Sequence, residues 1–327
     1  WCNTPTKIAQ AEDILISVRA PIGALNYAKE ECCIGRGLAA ITPDRNKVSQ
    51  DFIYWALKGK KAELNDKGNG STFKAISRKI LEETMIPDIN FEQQHKCAEN
   101  LEKIYGIIQN RRKELLALDD LIKARFVEMF GSPVSNPMSW EKRTLKEVCI
   151  KLNDGSHFSP ESFETGDYKY VTAKNIKFSG FDFSNITYVP EAVHRPIFDR
   201  CNPEFEDVLY IKDGATTGVA IVNTLDEEFT LLSSVALLKQ DRSIMNGYFL
   251  ATLLNNKDMY LNIRNNMGGA AITRLTIAKL NAIEIIVPPI ELQNQFAAFV
   301  AEVDKSKLMF QKLHQKLNIL QQKAGDI

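Results

Sequence analysis

The sequence has no apolar run approaching the roughly 18 residues that a membrane-spanning helix requires, so no membrane partner is expected. It also lacks the short motifs of the common catalytic machineries. There is no Asn/Asp-Pro-Pro-Tyr/Phe element of adenine methyltransferases, no GxxxxGK[ST] loop and no GxSxG elbow. Methyl transfer, nucleotide hydrolysis and serine-hydrolase chemistry therefore have no visible seat. Histidine is scarce, four in 327 residues, and His95, His157, His194 and His314 are scattered without metal-ligand spacing. The six cysteines (Cys2, Cys32, Cys33, Cys97, Cys149, Cys201) form no CxxC or Cys/His pattern. All six are expected to be reduced thiols of a cytoplasmic protein. Net charge is also missing: 41 basic residues face 41 acidic ones. This argues against a nucleic-acid partner, since phosphate binders are often basic overall, but leaves room for a local basic face. The N-terminus carries no basic segment followed by an apolar one, so no export signal is expected. What remains is a chain that is 44% hydrophobic and 25% charged. That is the composition of a globular protein, long enough for two domains with a core each.

The chain repeats itself. Glu12-Asp-Ile-Leu15 returns as Glu206-Asp-Val-Leu209, and each is followed by a glycine-bearing turn (Gly23, Gly218) and an apolar run (Leu38 to Ile41, Val235 to Leu238). Aromatic-rich stretches follow at Asp51 to Leu57 and Gly247 to Leu253, then glycine loops at Gly68-Asn-Gly70 and Gly268-Gly269. Ile86-Pro87 and Val287-Pro-Pro289 precede two long segments, opened by Phe91-Glu-Gln-Gln94 and Leu292-Gln-Asn-Gln295. A repeat of this length is a domain duplication and not a solenoid unit. The copies are unequal: the first has far fewer residues ahead of Glu12 than the second has between Trp140 and Glu206, so its front is expected to be missing.

The pattern predicts an α+β protein with two similar modules and two long helices. Ile14 to Val18 and Leu38 to Ile41 read as strands, and Asp51 to Asn65 as a helix. In the segment 91–130, Leu101, Ile104, Ile108, Leu115, Leu118 and Ile122 alternate at spacings of three and four, with Arg111 and Arg125 completing the seam. Gly131-Ser-Pro133 and Asn136-Pro137 stop it. In the last segment, Phe299, Val303, Ser306, Phe310, Leu313, Leu317 and Leu320 form a second seam. Between them, Arg143 to Val148 reads as a short amphipathic element, 150–240 as strand-rich, 246–263 as a helix and 281–287 as an apolar strand. The expected organisation is a first module at 1–90, a helix at 91–132, a second module at 133–290 and a second helix at 291–327. Two exposed apolar stripes would aggregate, so they are expected to pair with each other, antiparallel if a pseudo-twofold relates the modules. Helices of about 35 residues span roughly 50 Å, somewhat more than one turn of duplex.

These residues, taken in order and twice, resemble the DNA-specificity subunit of type I restriction-modification enzymes. Trp140-Glu-Lys-Arg-Thr-Leu-Lys-Glu-Val148 is similar to that family's module start. Glu206-Asp-Val-Leu209 through Gly218, and Glu12-Asp-Ile-Leu15 through Gly23, resemble its strand-and-turn segment. Val287-Pro-Pro-Ile-Glu-Leu-Gln-Asn-Gln295 resembles its approach to the conserved helix, and Ile86-Pro-Asp-Ile-Asn-Phe-Glu-Gln-Gln94 is a weaker version. The resemblance implies two target-recognition domains joined by antiparallel helices, each reading one half of a bipartite double-stranded DNA target. It implies a non-catalytic chain with no cofactor of its own. It further implies modification (methyltransferase) subunits that bind S-adenosylmethionine, and a restriction (translocase/nuclease) subunit that uses ATP and Mg. Without the resemblance, a protein-interaction scaffold with a duplicated domain and coiled-coil spacer remains the alternative, while an enzyme has no catalytic constellation to support it.

Candidate DNA contacts follow from residue chemistry. Arg19, Lys212, Thr216 and Thr217 lie in turns after the shared strand, where a rigid scaffold displays polar side chains. Lys74 and the pair Thr273 and Arg274 follow the glycine loops at near-matching positions, and an arginine can grip guanine O6 and N7 together. Ser156, His157, Lys174 and Asn175 come from the part of the second module that has no counterpart in the first, where variable hydrogen-bonding residues suit base reading. In each case the plainer reading is a turn that happens to be polar. Tyr168, Tyr170, Phe178, Phe181 and Phe183 have the near-alternating spacing of a strand's inward face and are expected in the core.

Overall fold

A computed structural model describes residues 6–69, 74–265, 267 and 274–325, with side chains as far as Met309. Contacts divide the chain into two units, Trp1–Leu115 with Leu308–Ile327, and Leu116–Lys307.

In the first unit, the strand Ile14–Ser17 lies between Leu25–Tyr27 and Leu38–Ile41 in an antiparallel sheet. Ile14 and Ile16, two residues apart, point to one face and are fully buried. The predicted helix over 51–65 is two helices, Gln50–Gly59 and Lys61–Asp66, which meet at Lys60. The Ser49 side chain caps the first, and Phe52, Trp55 and Leu57 are buried along it. Phe52 and Trp55 pack on Ala98 and Leu101 of the long helix Phe91–Phe130.

The second unit contains the same sheet, enlarged. The strand Val208–Ile211 lies between Ala220–Val222 and Val235–Gln240, and Cys149–Asp154 adds an outer fourth strand. All four residues of Val208–Ile211 are buried, because both of its faces are covered by hydrophobic clusters. A second sheet, Thr187–Val189, Tyr168–Val171 and Thr230–Leu231, has no counterpart among the described residues of the first unit. Residues 141–148 are a strand, Glu141–Thr144, and one helical turn, Leu145–Val148. The predicted helix over 246–263 is again two, Gly247–Asn255 and Lys257–Asn265. The helix Glu191–Arg200, with Pro196 inside it, lies in the stretch predicted to be strand-rich.

The duplication is visible at single atoms. Glu12 and Glu206 are both non-glycine residues with positive φ, 70° and 69°, and Gly23 and Gly218 are the positive-φ glycines of the following turns. The glutamines of the repeated motif have a stated job. Gln94 Oε1 accepts from Ser49 N at 2.8 Å and its amide donates to Ile89 O at 2.8 Å. Gln293 Oε1 accepts from Asn246 N at 2.9 Å and its amide donates to Pro288 O at 2.7 Å and Ile244 O at 3.0 Å. Each glutamine thus pins the first turn of a long helix to the capping residue of the module helix. The structural match to Phe91-Glu-Gln-Gln94 is therefore Ile290-Glu-Leu-Gln293, two residues before the segment chosen from sequence.

The second long helix is Ile290–Gly325. Every seam position read in the first helix, from Leu101 to Arg125, is buried or half-buried, as are Phe299, Val303 and Ser306 in the second. The side chains of Phe310, Leu313, Leu317 and Leu320 lie outside the described residues. Within the second unit the helices run antiparallel: Lys307 Nζ is 2.7 Å from Asp119, the Arg125 guanidinium sits 5.9 Å from the Phe299 ring, and Phe126 meets Phe296 at 5.6 Å. Phe126, Phe130, Phe249 and Phe296 close the root of the pair as one aromatic cluster.

The aromatic residues read as core divide. Tyr170 is buried and Phe181 half-buried, but Phe178 is 64% exposed and Phe183 36% exposed. Phe178 follows the strand Ile176–Lys177 in the turn before Gly180–Phe181, so strand alternation does not govern it.

Candidate nucleic-acid interface

In the second unit, four chain segments meet where the central strands end. Leu232-Ser233-Ser234-Val235 is a turn closed by Val235 N donating to Leu232 O at 2.9 Å, and it forms their hub. Ser233 N donates to Ser156 O at 2.8 Å, Lys212 N to Ser234 O at 2.9 Å, and Ala173 N to Ser234 Oγ at 3.3 Å. Leu275 N donates to Lys212 O at 2.8 Å, which brings in Arg274. The segments holding Ser156, Lys174, Lys212 and Arg274, far apart in sequence, are therefore one connected edge.

Within that edge the predicted residues separate by burial. Lys212 and Asp154 are 2% and 4% exposed and pair at 3.1 Å. The same carboxylate receives His157 Nε2 at 3.1 Å and lies 4.0 Å from Arg200, whose guanidinium also donates to the Asp154 and Gly155 carbonyls. Lys212 thus neutralises an internal acid and is not displayed to solvent. Ser156 is buried, and its hydroxyl donates to Phe158 O at 2.6 Å. Asn175 is buried and closes a capping box, with Oδ1 accepting from Thr172 N at 3.0 Å. Thr217 is buried, with its hydroxyl on Gly214 O at 2.7 Å. For these four, a buried polar group needs its partner inside the protein, and the chain supplies it. His157, Lys174, Thr216 and Arg274 are exposed. Arg274 Nε lies 3.5 Å from Asp213. Thr273 and the loop Gly268-Gly269 lie outside the described residues.

In the first unit, the same edge is built from Arg19 and Lys74. Both are exposed, and Arg19 bridges Ala75 in an antiparallel pair. Ile76 N donates to Val18 O at 2.9 Å, as Leu275 N does to Lys212 O. This register aligns Ala75 with Arg274, so Lys74 corresponds to Thr273, one residue from the pairing suggested by sequence. Gly70 lies outside the described residues.

Some residues that shape the edge were not singled out by sequence. Asp154 and Arg200 organise the loop, yet they resemble any surface acid and base until the fold buries one and brings the other to it. Gly155 carries a better signal, standing in an Asn-Asp-Gly turn. A Cβ there would lie 1.9 Å from Leu231 O, so only glycine allows this approach. His194 is fully buried within the second unit, stacked on Tyr168 at 3.7 Å, with Nδ1 2.8 Å from Thr230 Oγ1 and Nε2 3.2 Å from Glu228. Burial pushes its imidazole below the usual value. Among the described residues, no group of three or more His, Cys, Asp or Glu could hold a metal ion, and no helix is long and apolar enough to cross a membrane. Cys32, Cys33, Cys97, Cys149 and Cys201 are free thiols, while Cys2 lies outside the described residues.

A duplicated α+β module followed each time by a long helix, with a polar loop edge on each sheet, defines a class of tandem-module proteins. The chain belongs to the type I restriction modification DNA specificity domain family, which it matches over residues 3–118 and again over 137–321. It is similar to a protein of Methanocaldococcus jannaschii described as the type I restriction enzyme MjaX specificity subunit, 43% identical over 114 residues. That match spans 35% of this chain and 27% of the relative. It is also similar to the MjaIX specificity subunit of the same organism, 26% identical over 310 residues, 88% of this chain and 69% of the relative. Its fold is that of a type I restriction-modification S subunit from M. genitalium, with a TM-score of 0.61 at 18% identity, covering 97% of this chain and 82% of that one. These relatives are named as specificity subunits, in agreement with the expectation of a non-catalytic chain.

Proposed function

We propose that the chain is a DNA-reading subunit of a type I restriction-modification enzyme, in which each unit reads one half of a bipartite duplex target. The observation that carries this reading is that the family matches both repeats while each repeat presents a loop edge at the same end of the same sheet. In this reading the long helices form a coiled coil that sets the gap between the half-sites. Methyltransferase subunits dock on the chain and supply S-adenosylmethionine chemistry, and a translocase/nuclease subunit supplies the use of ATP and Mg. Its place is the cytoplasm. The exposed candidates Arg19, Lys74, His157, Lys174, Thr216, Thr273 and Arg274 supply contacts to bases and phosphates. Lys212, Ser156, Asn175 and Thr217 support the edge from beneath. Zero net charge accords with partner subunits supplying much of the phosphate neutralisation.

The test is to incubate the purified chain, with and without its methyltransferase subunits, with random duplex DNA and to sequence the bound pool. Enrichment of a gapped motif is the expected result. No enrichment even with the partners present, combined with no salt-dependent affinity for duplex DNA, would leave the protein-scaffold reading in its place.

A further inference from the structure

Arg36 stands at the second position of the turn Gly35-Arg36-Gly37-Leu38, closed by Leu38 N donating to Gly35 O at 3.0 Å. The corresponding turn of the second unit is Leu232-Ser233-Ser234-Val235, closed by the same bond at 2.9 Å. Each turn is held to the exit of the central strand in the same way, by Val18 N on Gly37 O and by Lys212 N on Ser234 O, both at 2.9 Å. The correspondence therefore sets Arg36 against Ser233, Arg19 against Asp213 and Lys74 against Thr273.

The two edges differ in charge. In the first unit, Val18 is bonded on one side to the Arg36 turn and on the other to Ile76, and Ala20 N donates to Lys74 O at 3.2 Å. The segments Ser17–Ala20, Gly35–Leu38 and Lys74–Ser77 thus lie side by side, with three cations and no acid among them. Arg19, Arg36 and Lys74 are all exposed, and none makes a side-chain hydrogen bond or ion pair among the described residues. In the second unit, the Lys212 charge is buried on Asp154, Arg274 faces Asp213, and Lys174 stands exposed. Like charges gathered without an internal counter-ion repel one another, and a chain of phosphates relieves that repulsion. The glycines beside Arg36 point the same way. A Cβ at Gly35 or Gly37 would meet nothing within 4 Å, and neither residue has a left-handed φ. The protein's own packing does not demand glycine at either place, whereas close approach of an external backbone to the turn would favour it.

We propose that Arg36, together with Arg19 and Lys74, is a phosphate-gripping edge through which the first unit holds duplex DNA, while the second unit holds its half-site without such a cluster. This rests on the DNA-reading function proposed above. The two halves of the target are then bound by different chemistry: the first unit's hold is the more salt-sensitive, and the second relies more on hydroxyls, with Lys174 and an acid-paired arginine as its exposed cations.

The experiment measures affinity of the full chain, assembled with its methyltransferase subunits, for the enriched duplex over a series of salt concentrations. Each phosphate contact adds about 0.9 to the slope of log affinity against log salt. Arg36→Gln is expected to lower the slope by about 1, and the triple change of Arg19, Arg36 and Lys74 to Gln by about 3. Arg36→Lys, which retains the charge, and Ser233→Ala are expected to keep the wild-type slope. Thermal melting of each variant confirms folding, and the three single variants decide the matter if the triple variant melts early. A folded Arg36→Gln or triple Gln variant that keeps the wild-type slope would overturn this inference and leave the DNA-reading function standing. A wild-type assembly that binds no duplex would overturn both.

Discussion

Asp154 and Lys212 lie 58 residues apart in the chain and 3.1 Å apart in the fold, nearly inaccessible to water. Breaking a buried pair by removing one member leaves an uncompensated charge, at a cost of about 3–5 kcal/mol. Lys212→Met is therefore expected to lower the unfolding free energy of the second unit, read from urea denaturation, by an amount of that order. The double change Lys212→Met with Asp154→Leu should recover part of the loss, and only part, because Asp154 also holds His157 and lies near Arg200. His194 gives a pH dependence. Burial is the main cause of its lowered value, and the neighbouring Arg195 adds to it, against the opposing pull of Glu228 and Asp199. The unfolded chain therefore takes up a proton near the usual 6.5 before the folded chain does. The neutral ring's contribution is complete above that pH and declines as pH falls through it toward the folded value. The melting temperature should drop on acidification below about 6.5, and His194→Phe should flatten that part of the profile. An unchanged profile in the variant would contradict this account.

At the scale of elements, the repeated motifs are joints. Gln293 makes three hydrogen bonds from a fully buried position, one to the amide that opens the helix Gly247–Asn255. Gln293→Ala leaves buried groups unsatisfied, at about 1–3 kcal/mol. Denaturant unfolding should show that loss, and Gln94→Ala should show a similar one in the first unit. The strands Ile14–Ser17 and Leu38–Ile41 and both long helices are legible in the chain because their cause is local, a period of two or of three and four. The two broken helices are not legible, because helical apolar periodicity carries across the breaks at Lys60 and Asn256. At Asn256 the side-chain oxygen accepts from Asp258 N at 3.0 Å and starts a new helix.

Over the whole molecule, two edges of one design predict a bound DNA pool with two short blocks of preferred bases separated by a constant unread gap. One contiguous block would contradict the two-head reading. The sequence by itself determined that there are two copies, that each ends in a long helix with an apolar seam, and which motifs recur, since repetition and periodicity survive without any knowledge of contacts. Only the tertiary structure decided which polar residues face outward. Ser156, Asn175, Lys212 and Thr217 look as available as His157, Lys174, Thr216 and Arg274 in the chain, but burial separates the two groups. Arg36 stands beside Arg19 and Lys74 only through hydrogen bonds between separate segments. The physical reason is the same in both cases: exposure and charge neighbourhood are properties of residues brought together from distant positions, and a local pattern cannot carry them.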